Sequence, residues 1–296
     1  MTINNEDSIK ITSVLIPLFN HEDFIVFCLN SLLKSNTKKI QLVISDDCSS
    51  DNSYSIAKKW IFSHKYLFYS ARIFRQKTNI GINKNINFLK NNAVGDFLLI
   101  LSSDDALSPL SIDYQSTYLC DHMHIDFLFS NRSIMNFSGK IISHGCLGFK
   151  RLILLRSNFF IKLDVIYNWG MPWSGVFARR NSFASLGVIP TNLSFDDRWI
   201  SLKILQTNRY SFLNKSLYIY RMRDDKSTTP GLDKRQMNKD LKLTELRILK
   251  TSKGFLYILL FLYTLPYRKD IKNSSFYWLF KLPNKIIKYL YRFISL

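Results

Sequence analysis

At positions 40–47 the chain reads Ile40-Gln41-Leu42-Val43-Ile44-Ser45-Asp46-Asp47, an apolar run of strand type that ends in two adjacent carboxylates. The arrangement recurs where Phe97-Leu98-Leu99-Ile100-Leu101 is followed closely by Asp104-Asp105. In an open α/β sheet, ligands bind in the crevice at the carboxyl ends of the strands. Clustered acids at that edge favour a divalent cation together with a phosphate-bearing ligand. We therefore expect a cleft that binds a molecule such as a sugar nucleotide.

The first 110 residues alternate between strand patterns and helix patterns. Strands are expected at 12–18, 40–45, 71–74 and 97–101, with helices at 21–35, 56–60 and 82–91. Serine hydroxyls satisfy the free N–H groups at a helix start, so Ser49 or Ser50 is expected to cap the second helix. Alternation at this spacing predicts an α/β fold with a mostly parallel central sheet.

The pattern becomes less regular after Pro109. Strands are expected at 127–130 and 140–143, mixed helical structure at 151–168, short helices at 183–186 and 198–205, and a strand pair at 210–220. The Gly/Pro/Trp-rich stretch 170–175 suits neither regular element and predicts a loop.

Seven short motifs resemble those of the inverting family 2 glycosyltransferases of GT-A fold, in both order and spacing. They are Val14-Leu15-Ile16-Pro17-Leu18-Phe19-Asn20, Asp46-Asp47-Cys48-Ser49-Ser50-Asp51, Asn79-Ile80-Gly81, Asn85, Ala93-Val94-Gly95-Asp96, Leu101-Ser102-Ser103-Asp104-Asp105 and Phe195-Asp196-Asp197-Arg198-Trp199. The resemblance covers residues 12–225 and is strongest to small bacterial transferases of surface-polysaccharide assembly, of O-antigen or capsule type. It implies a Rossmann-like, mostly parallel sheet flanked by helices, and transfer of a sugar from a nucleoside diphosphate sugar with inversion.

The resemblance also implies which residues bind the donor. An acid of the Asp46-Asp47 pair would accept a hydrogen bond from the nucleotide base, and an arginine suits the diphosphate. The expected donor-binding residues are Pro17, Asn20, Glu22, Asp46, Asp47, Asn79, Gly81, Asn85, Asp104 and Arg221. An ordinary strand-to-helix turn, with an aspartate capping the helix, is the alternative for the first acidic pair. At position 223 an arginine replaces the histidine that relatives often carry.

Asp104 and Asp105 occupy the motif that binds a divalent cation, Mn²⁺ or Mg²⁺, in the family. The first acid of that motif is replaced here by Ser102. A hydroxyl or a water molecule can fill one coordination position around such an ion. Asp104 is expected to be the first metal ligand and Asp105 the second, with a turn-capping role as the alternative.

The Asp196-Asp197 pair is the candidate for the general base. An inverting transfer requires a base that removes the proton of the acceptor hydroxyl while its oxygen attacks the anomeric carbon. We choose Asp197, with Asp196 as the other candidate. Acids at a helix N-terminus are also stabilised by the helix dipole, which is the structural alternative. Residues 111–225 are expected to shape the acceptor site, with Trp173 in its wall.

The formal charge of +19 is concentrated at the C-terminal end. Residues 234–296 carry fourteen Lys and Arg against three acids, a net charge of +11. From position 285 onward, apolar residues fall on one helical face and basic residues on the other. The apolar set is Ile286, Leu290 and Phe293, and the basic set is Lys285, Lys288 and Arg292. This pattern predicts an interfacial anchor on an anionic membrane, or alternatively a helix packed on the catalytic domain.

These features predict two parts and a cellular context. Residues 1–232 would form the catalytic domain, with a donor half at 12–110 and an acceptor half at 111–225, and 233–296 a basic helical tail. The polar residues 1–10 predict no signal peptide, and the apolar run 254–266 is shorter than the ~20 residues of a spanning helix. Four cysteines without CxxC spacing favour a reducing compartment. We expect a cytoplasmic protein, peripheral on the inner face of the cytoplasmic membrane, with a polyprenyl-diphosphate-linked glycan as acceptor.

Two other classes compete with this interpretation. A basic, non-catalytic lipid- or nucleic-acid-binding protein would explain the charge, but acids in a cleft repel nucleic-acid phosphates unless a cation intervenes. No nucleic-acid partner is therefore expected. A nucleotidyltransferase would require a Gly-rich phosphate loop, which the segment 17–20 is not. The five histidines show no metal-binding spacing beyond His122-x-His124, a pair that strand alternation would place on one face, and a solvated face is expected for it.

Overall fold

The computed structural model describes residues 10–168, 175–193, 196–222, 234–267 and 277–295. Within these residues the strands are β1 Thr12–Leu18, β2 Ile40–Asp46, β3 Ser70–Arg75, β4 Phe97–Ile100, β5 Ala106–Leu107, β6 Phe127–Met135, β7 Ile141–Ser143, β8 Phe177–Arg179 and β9 Tyr210–Arg221. The α-helices are α1 Ile25–Leu32, α2 Ser53–His64, α3 Ile82–Asn91, α4 Ser111–Asp121, α5 Phe149–Leu154, α6 Asn158–Leu163, α7 Arg180–Ser185, α8 Asp197–Thr207, α9 Lys234–Thr251, α10 Gly254–Thr264 and α11 Tyr277–Ser295. A π-helical segment, Asp164–Asn168, follows α6.

The chain divides into two compact units. The first comprises Met1–Asp126 with Phe177–Gly187, and the second comprises Phe127–Val176 with Val188–Leu296. The predicted boundary between catalytic domain and tail, at 232/233, lies outside the described residues.

The first unit is built on five strands in the order β3-β2-β1-β4-β8. β1 is parallel to β2 and β4, and β2 is parallel to β3, whereas β8 runs antiparallel to β4. Every residue of β2 and β4 is buried, as expected for parallel strands covered on both faces. The predicted α/β architecture with a mostly parallel sheet is therefore confirmed in this unit.

Strand register brings the predicted motifs to one edge of this sheet. Leu18 pairs with Asp46, and the Asp47 amide donates to the Leu18 carbonyl over 2.8 Å. On the other side of β1, the Leu101 amide donates to the Leu15 carbonyl over 2.9 Å. The loops that follow β1, β2 and β4 consequently leave the sheet at the same edge.

At the opposite end of the sheet, Gly95 packs closely against the start of β1. A Cβ at this position would lie 2.6 Å from the carbonyl oxygen of Ile11 and 2.8 Å from the amide nitrogen of Ser13. The Gly95 amide donates to Ser13 Oγ over 2.9 Å, and this contact requires the close approach. The Ala93-Val94-Gly95-Asp96 motif therefore has a packing role next to β1.

The second unit combines a small sheet with helices. β6 is parallel to β9 and antiparallel to β7. Helix α8 packs against α9, α10 packs against α9 and the 164–168 segment, and α11 packs against α5 and the same segment. The C-terminal helices are thus part of the core of this unit. Along the described ranges no helix has both the length and the apolar character needed to cross a bilayer.

Two expectations about elements were wrong. Ser49 and Ser50 do not cap α2, which begins at Ser53 without a side-chain cap, because the Ser49 hydroxyl is bonded to Asp46 and the Asn20 amide. Residues 210–220 form one long strand, not a pair; the exposed residues Asn214 and Lys215 lie where the β6–β9 register is irregular, and the chain does not reverse there.

Candidate functional site

The acidic pair after β2 shapes the loops around it. Asp47, with only 4% of its surface exposed, accepts hydrogen bonds from the amides of Ile80 (2.8 Å) and Gly81 (2.9 Å). Asp46 is fully buried and accepts from both the hydroxyl and the amide of Ser49. These two carboxylates fix the turn after β2 and the loop before α3.

The loop after β1 is joined to the same turn by side chains. Asn20, at a left-handed φ of 50°, accepts from the Ser50 amide over 2.9 Å, and its own amide donates to Ser49 Oγ over 3.0 Å. Glu22 accepts from the Asn52 amide over 2.9 Å. Pro17 precedes this loop in β1, paired with Ser45. The predicted donor residues Pro17, Asn20 and Glu22 therefore lie next to the acidic pair.

The loop before α3 and the first turn of that helix also lie beside the acidic pair. Gly81 has a φ of 84°, a conformation that favours glycine, and its amide also donates to Asn79 Oδ1 over 3.0 Å. Asn85 donates through Nδ2 to the Ser45 carbonyl over 2.9 Å, while its buried Oδ1 has no hydrogen-bond partner among the described residues. Asn79, Gly81 and Asn85 are thus arranged beside the end of β2.

The acidic motif after β4 lies next to His21, a residue that the sequence pattern did not assign to the site. The Asp104 side chain is 17% exposed, and its Oδ2 lies 3.9 Å from Nε2 of His21. His21 Nδ1 lies 2.7 Å from Ser103 Oγ. Asp105 is buried, and its amide closes a turn onto the Ser102 carbonyl at 3.1 Å. The only sequence signal for His21 was its position directly after Asn20 in the first motif.

The site can accommodate a cation only with help from a substrate. No three His, Cys, Asp or Glu side chains in the described part of the chain are grouped so as to hold a metal ion. Mg²⁺ is, however, commonly held by one or two carboxylates together with substrate phosphates and water. The partly exposed Asp104 fits that arrangement, and the buried Asp105 is less accessible.

The second unit carries Asp196 and Asp197, the two candidates for the general base. Asp197 is the first residue of α8, and its Oδ1 accepts from the Arg198 amide over 2.7 Å. Burial and the neighbouring charge of Asp196 raise the pKa of Asp197 to about 7. A carboxyl group with a pKa near neutrality is well matched to accepting a proton at physiological pH.

A buried cation anchors the start of α8. Arg198 donates to Glu245 Oε1 through Nε (3.1 Å) and Nη2 (2.7 Å), and also to the carbonyls of Val165 and Ile166. Burial raises the pKa of Glu245, while Arg198 acts in the opposite direction. Arg198 therefore ties α8 to α9 and to the 164–168 segment, a positioning role for a residue adjoining the candidate base.

Arg221 has internal partners. It is buried, and its Nη1 donates to the Phe137 carbonyl over 2.6 Å and approaches the Asn136 carbonyl at 3.4 Å. These contacts hold the turn between β6 and β7. Its role at a diphosphate stays a prediction. Trp173 and Arg223 lie outside the described residues.

Residues 13–180, more than half of the chain, match the family model described as Glycosyl transferase family 2. The chain belongs to glycosyl transferase family 2, which confirms the resemblance in its motifs. It is 31% identical, over 39% of its length, to the poly(ribitol-phosphate) β-N-acetylglucosaminyltransferase TarS of Staphylococcus aureus. It is 30% identical, over 38% of its length, to the putative glycosyltransferase EpsE of Bacillus subtilis. The matched part spans 20% of TarS and 39% of EpsE.

Solved structures show the same fold. TarS 1–349 in complex with UDP-GlcNAc aligns with a TM-score of 0.64 at 20% identity, over 86% of this chain and 70% of that one. The mannosyltransferase PcManGT from Pyrobaculum calidifontis, in complex with GDP-Man and Mn²⁺, aligns with a TM-score of 0.59 at 17% identity, over 84% and 68%. The GT-A fold expected from the sequence is thereby confirmed.

Proposed function

We propose that this chain transfers a sugar from a nucleoside diphosphate sugar to a glycan hydroxyl with inversion at the anomeric carbon. The observation that carries the proposal is the common sheet edge, where the turn held by Asp46 and Asp47 adjoins Asn20 and Gly81. The complexes of TarS with UDP-GlcNAc and of PcManGT with GDP-Man support a nucleotide-sugar donor for this fold. The donor site would comprise the residues named above, including Arg221.

In the proposed reaction Asp197 removes the proton of the acceptor hydroxyl. The freed oxygen attacks the anomeric carbon from the face opposite the diphosphate, which leaves as a nucleoside diphosphate. Burial and, secondarily, the charge of Asp196 keep the pKa of Asp197 high enough for this task, and Arg198 holds the start of α8. Trp173 would line the acceptor site.

Asp104, with Asp105 as a second ligand, would hold a divalent cation, Mn²⁺ or Mg²⁺. When bound, such an ion neutralises charge that develops on the leaving diphosphate. The Mn²⁺ in the PcManGT complex supports this cofactor. His21, 3.9 Å from Asp104, would position that carboxylate.

The acceptor in this proposal is a lipid-linked oligosaccharide, carried on polyprenyl diphosphate during surface-polysaccharide synthesis of O-antigen, lipopolysaccharide or capsule type. The catalytic domain would be 1–232, and the tail 233–296 would keep the protein peripheral on the inner face of the cytoplasmic membrane. Support comes from the basic charge of the tail, because positive charge is attracted to anionic lipid.

A screen of nucleoside diphosphate sugars tests the proposal. Thermal unfolding is followed with each compound, with and without Mn²⁺, and product nucleotide is measured with and without a polyprenyl-linked acceptor. We expect one donor to raise the melting temperature more strongly with Mn²⁺ and to be hydrolysed slowly. Stabilisation by oligonucleotides but by none of the donors would reject transfer in favour of nucleic-acid binding.

A further inference from the structure

Helix α11 is fixed to the second unit along one side. Tyr291 is 2% exposed, and its hydroxyl donates to Asp164 Oδ1 over 2.7 Å. Asp164 is buried and is also paired with Arg151, whose Nε and Nη2 each donate over 2.8 Å. About two turns of helix before Tyr291, Asn284 donates through Nδ2 to the Tyr263 carbonyl over 2.8 Å. This side of α11 is therefore committed to the protein interior.

The opposite side of α11 is apolar and exposed. At 100° per residue, five of its exposed apolar side chains occupy a sector of about 100° that faces away from Tyr291, whereas Ile294, which is 47% exposed, lies outside that sector. Tyr289 and Phe293 are 70% and 71% exposed, and the others are about half exposed. We call this set the apolar face: Leu282, Ile286, Tyr289, Leu290 and Phe293.

A row of cations flanks the apolar face. Lys281, Lys285, Lys288 and Arg292 fall on one border of it at 100° per residue, and all four are exposed. The sequence 277–295 contains no Asp or Glu. Exposed apolar side chains beside a row of cations form the pattern of helices that lie in a membrane interface.

We propose that the apolar face of α11 docks onto an anionic lipid bilayer, with the helix axis parallel to the membrane surface. The proposal concerns this surface alone and does not rest on transferase activity. Apolar side chains would enter the head-group region, and the cations would contact anionic lipids. Because the Tyr291 side remains bound to Asp164, docking would bring the second unit to the membrane without unfolding α11.

Charge argues against a second copy of the chain as the occupant. A dimer formed through two apolar faces would bring two cationic rows together, and like charges across an interface are costly. An anionic bilayer meets both features of the surface at once.

Vesicle sedimentation with the full chain tests the proposal. The probes are vesicles of phosphatidylcholine alone and of an equimolar mixture with phosphatidylglycerol. We expect the wild type to partition onto the mixed vesicles, and Ile286→Gln with Phe293→Gln to lower that partition at least tenfold. Lys285→Gln with Lys288→Gln should lower it about thirtyfold, the effect of two charges near an anionic surface. The lysine effect should disappear near 1 M salt, where the Debye length is about 3 Å.

Matched control variants distinguish binding through α11 from non-specific binding through other exposed charges or apolar side chains. Lys239→Gln with Lys250→Gln removes the same charge from exposed sites on α9, and Ile142→Gln with Val188→Gln removes two exposed apolar side chains elsewhere in the second unit. All variants should keep the wild-type melting temperature, and these controls should keep wild-type partition. The proposal is overturned if the wild type does not sediment, if the controls lose as much as the α11 variants, or if the α11 variants bind normally. A wild-type dimer that Ile286→Gln with Phe293→Gln converts to a monomer would instead assign the face to a second copy.

Discussion

In the proposed reaction, the two adjacent carboxylates at the start of α8 have unequal roles. Asp196 contributes a negative charge, and Asp197 is partly buried with its Oδ1 bonded to the next amide. Both the burial and the neighbouring charge favour the protonated form of Asp197, which places its pKa near 7. A base must be deprotonated to act, so turnover should rise with pH through that range.

We expect Asp197→Asn to lower turnover by about 10²–10⁴ with little change in donor affinity, because the amide keeps the shape and loses proton acceptance. Asp196→Asn should retain activity and move the acid limb of the pH–rate profile to lower pH, because loss of the neighbouring charge lowers the pKa of Asp197. Steady-state kinetics across pH 5–9 for both variants measures this. The reverse pattern would assign the base to Asp196.

Asp104 is the proposed first metal ligand, and His21 is the side chain beside it. We expect Asp104→Ala to abolish Mn²⁺-dependent donor binding, because the variant removes the accessible carboxylate of the motif, and His21→Gln to weaken that binding less. Calorimetric titration with and without EDTA measures both, with Asp121→Ala on the exposed surface of α4 as the control. Unchanged metal dependence in Asp104→Ala would contradict the assignment.

At the scale of elements, the turn between α3 and β4 depends on one missing side chain. We expect Gly95→Ala to destabilise the protein by about 1–3 kcal/mol, because its Cβ would overlap the Ile11 carbonyl. Gly148→Ala is the matched control, since nothing lies within 4 Å of a Cβ there and α5 follows directly. Urea unfolding measures both changes. Equal effects would show that backbone entropy and not the contact with β1 decides the outcome.

Sequence patterns located the elements whose apolar spacing is long and regular. The expected bounds of β1 and α3 agree with the structure, because β1 is a buried apolar run and α3 repeats apolar residues at helical spacing. The three-residue strand β8 was missed because so short a segment carries no periodic pattern and becomes a strand through tertiary pairing, here with β4. The Ser49 cap failed for a similar reason, since its hydroxyl is used by Asp46 and by Asn20, which is far away in sequence. In the candidate site, motifs located the acids, but the proximity of His21 to Asp104 depends on how two loops fold together.

On the scale of the whole molecule, the sequence left two alternatives for the C-terminal tail, a membrane anchor or a helix packed on the catalytic domain, and the C-terminal helices make buried contacts within the second unit. Leu256, Leu259 and Leu260 of α10 are buried, and Tyr291 of α11 reaches the buried Asp164. The two alternatives for the tail are compatible in the structure, because α11 packs through one side and exposes the other.

Truncation after Ser252 should therefore lower the melting temperature of the protein strongly, since it removes these buried side chains and leaves Asp164 without the Tyr291 hydroxyl. Tyr291→Phe, which removes only that hydroxyl, should cost about 1–3 kcal/mol. Calorimetry on both variants measures this. A truncated chain that melts like the full chain would show that these contacts do not stabilise the protein.

The double contact of Asp47 with the amides of Ile80 and Gly81 has a consequence for how fast and how tightly a ligand is captured. Two hydrogen bonds already restrict the backbone of the loop before α3 in the ligand-free protein. Ligand binding therefore costs less conformational entropy. The amides of Ile80 and Gly81 should then exchange slowly with deuterium in the ligand-free protein and slow little further on saturation. In Asp47→Ala the loop would have to become ordered each time a ligand binds. We therefore expect a lower association rate constant for this variant than for the wild type.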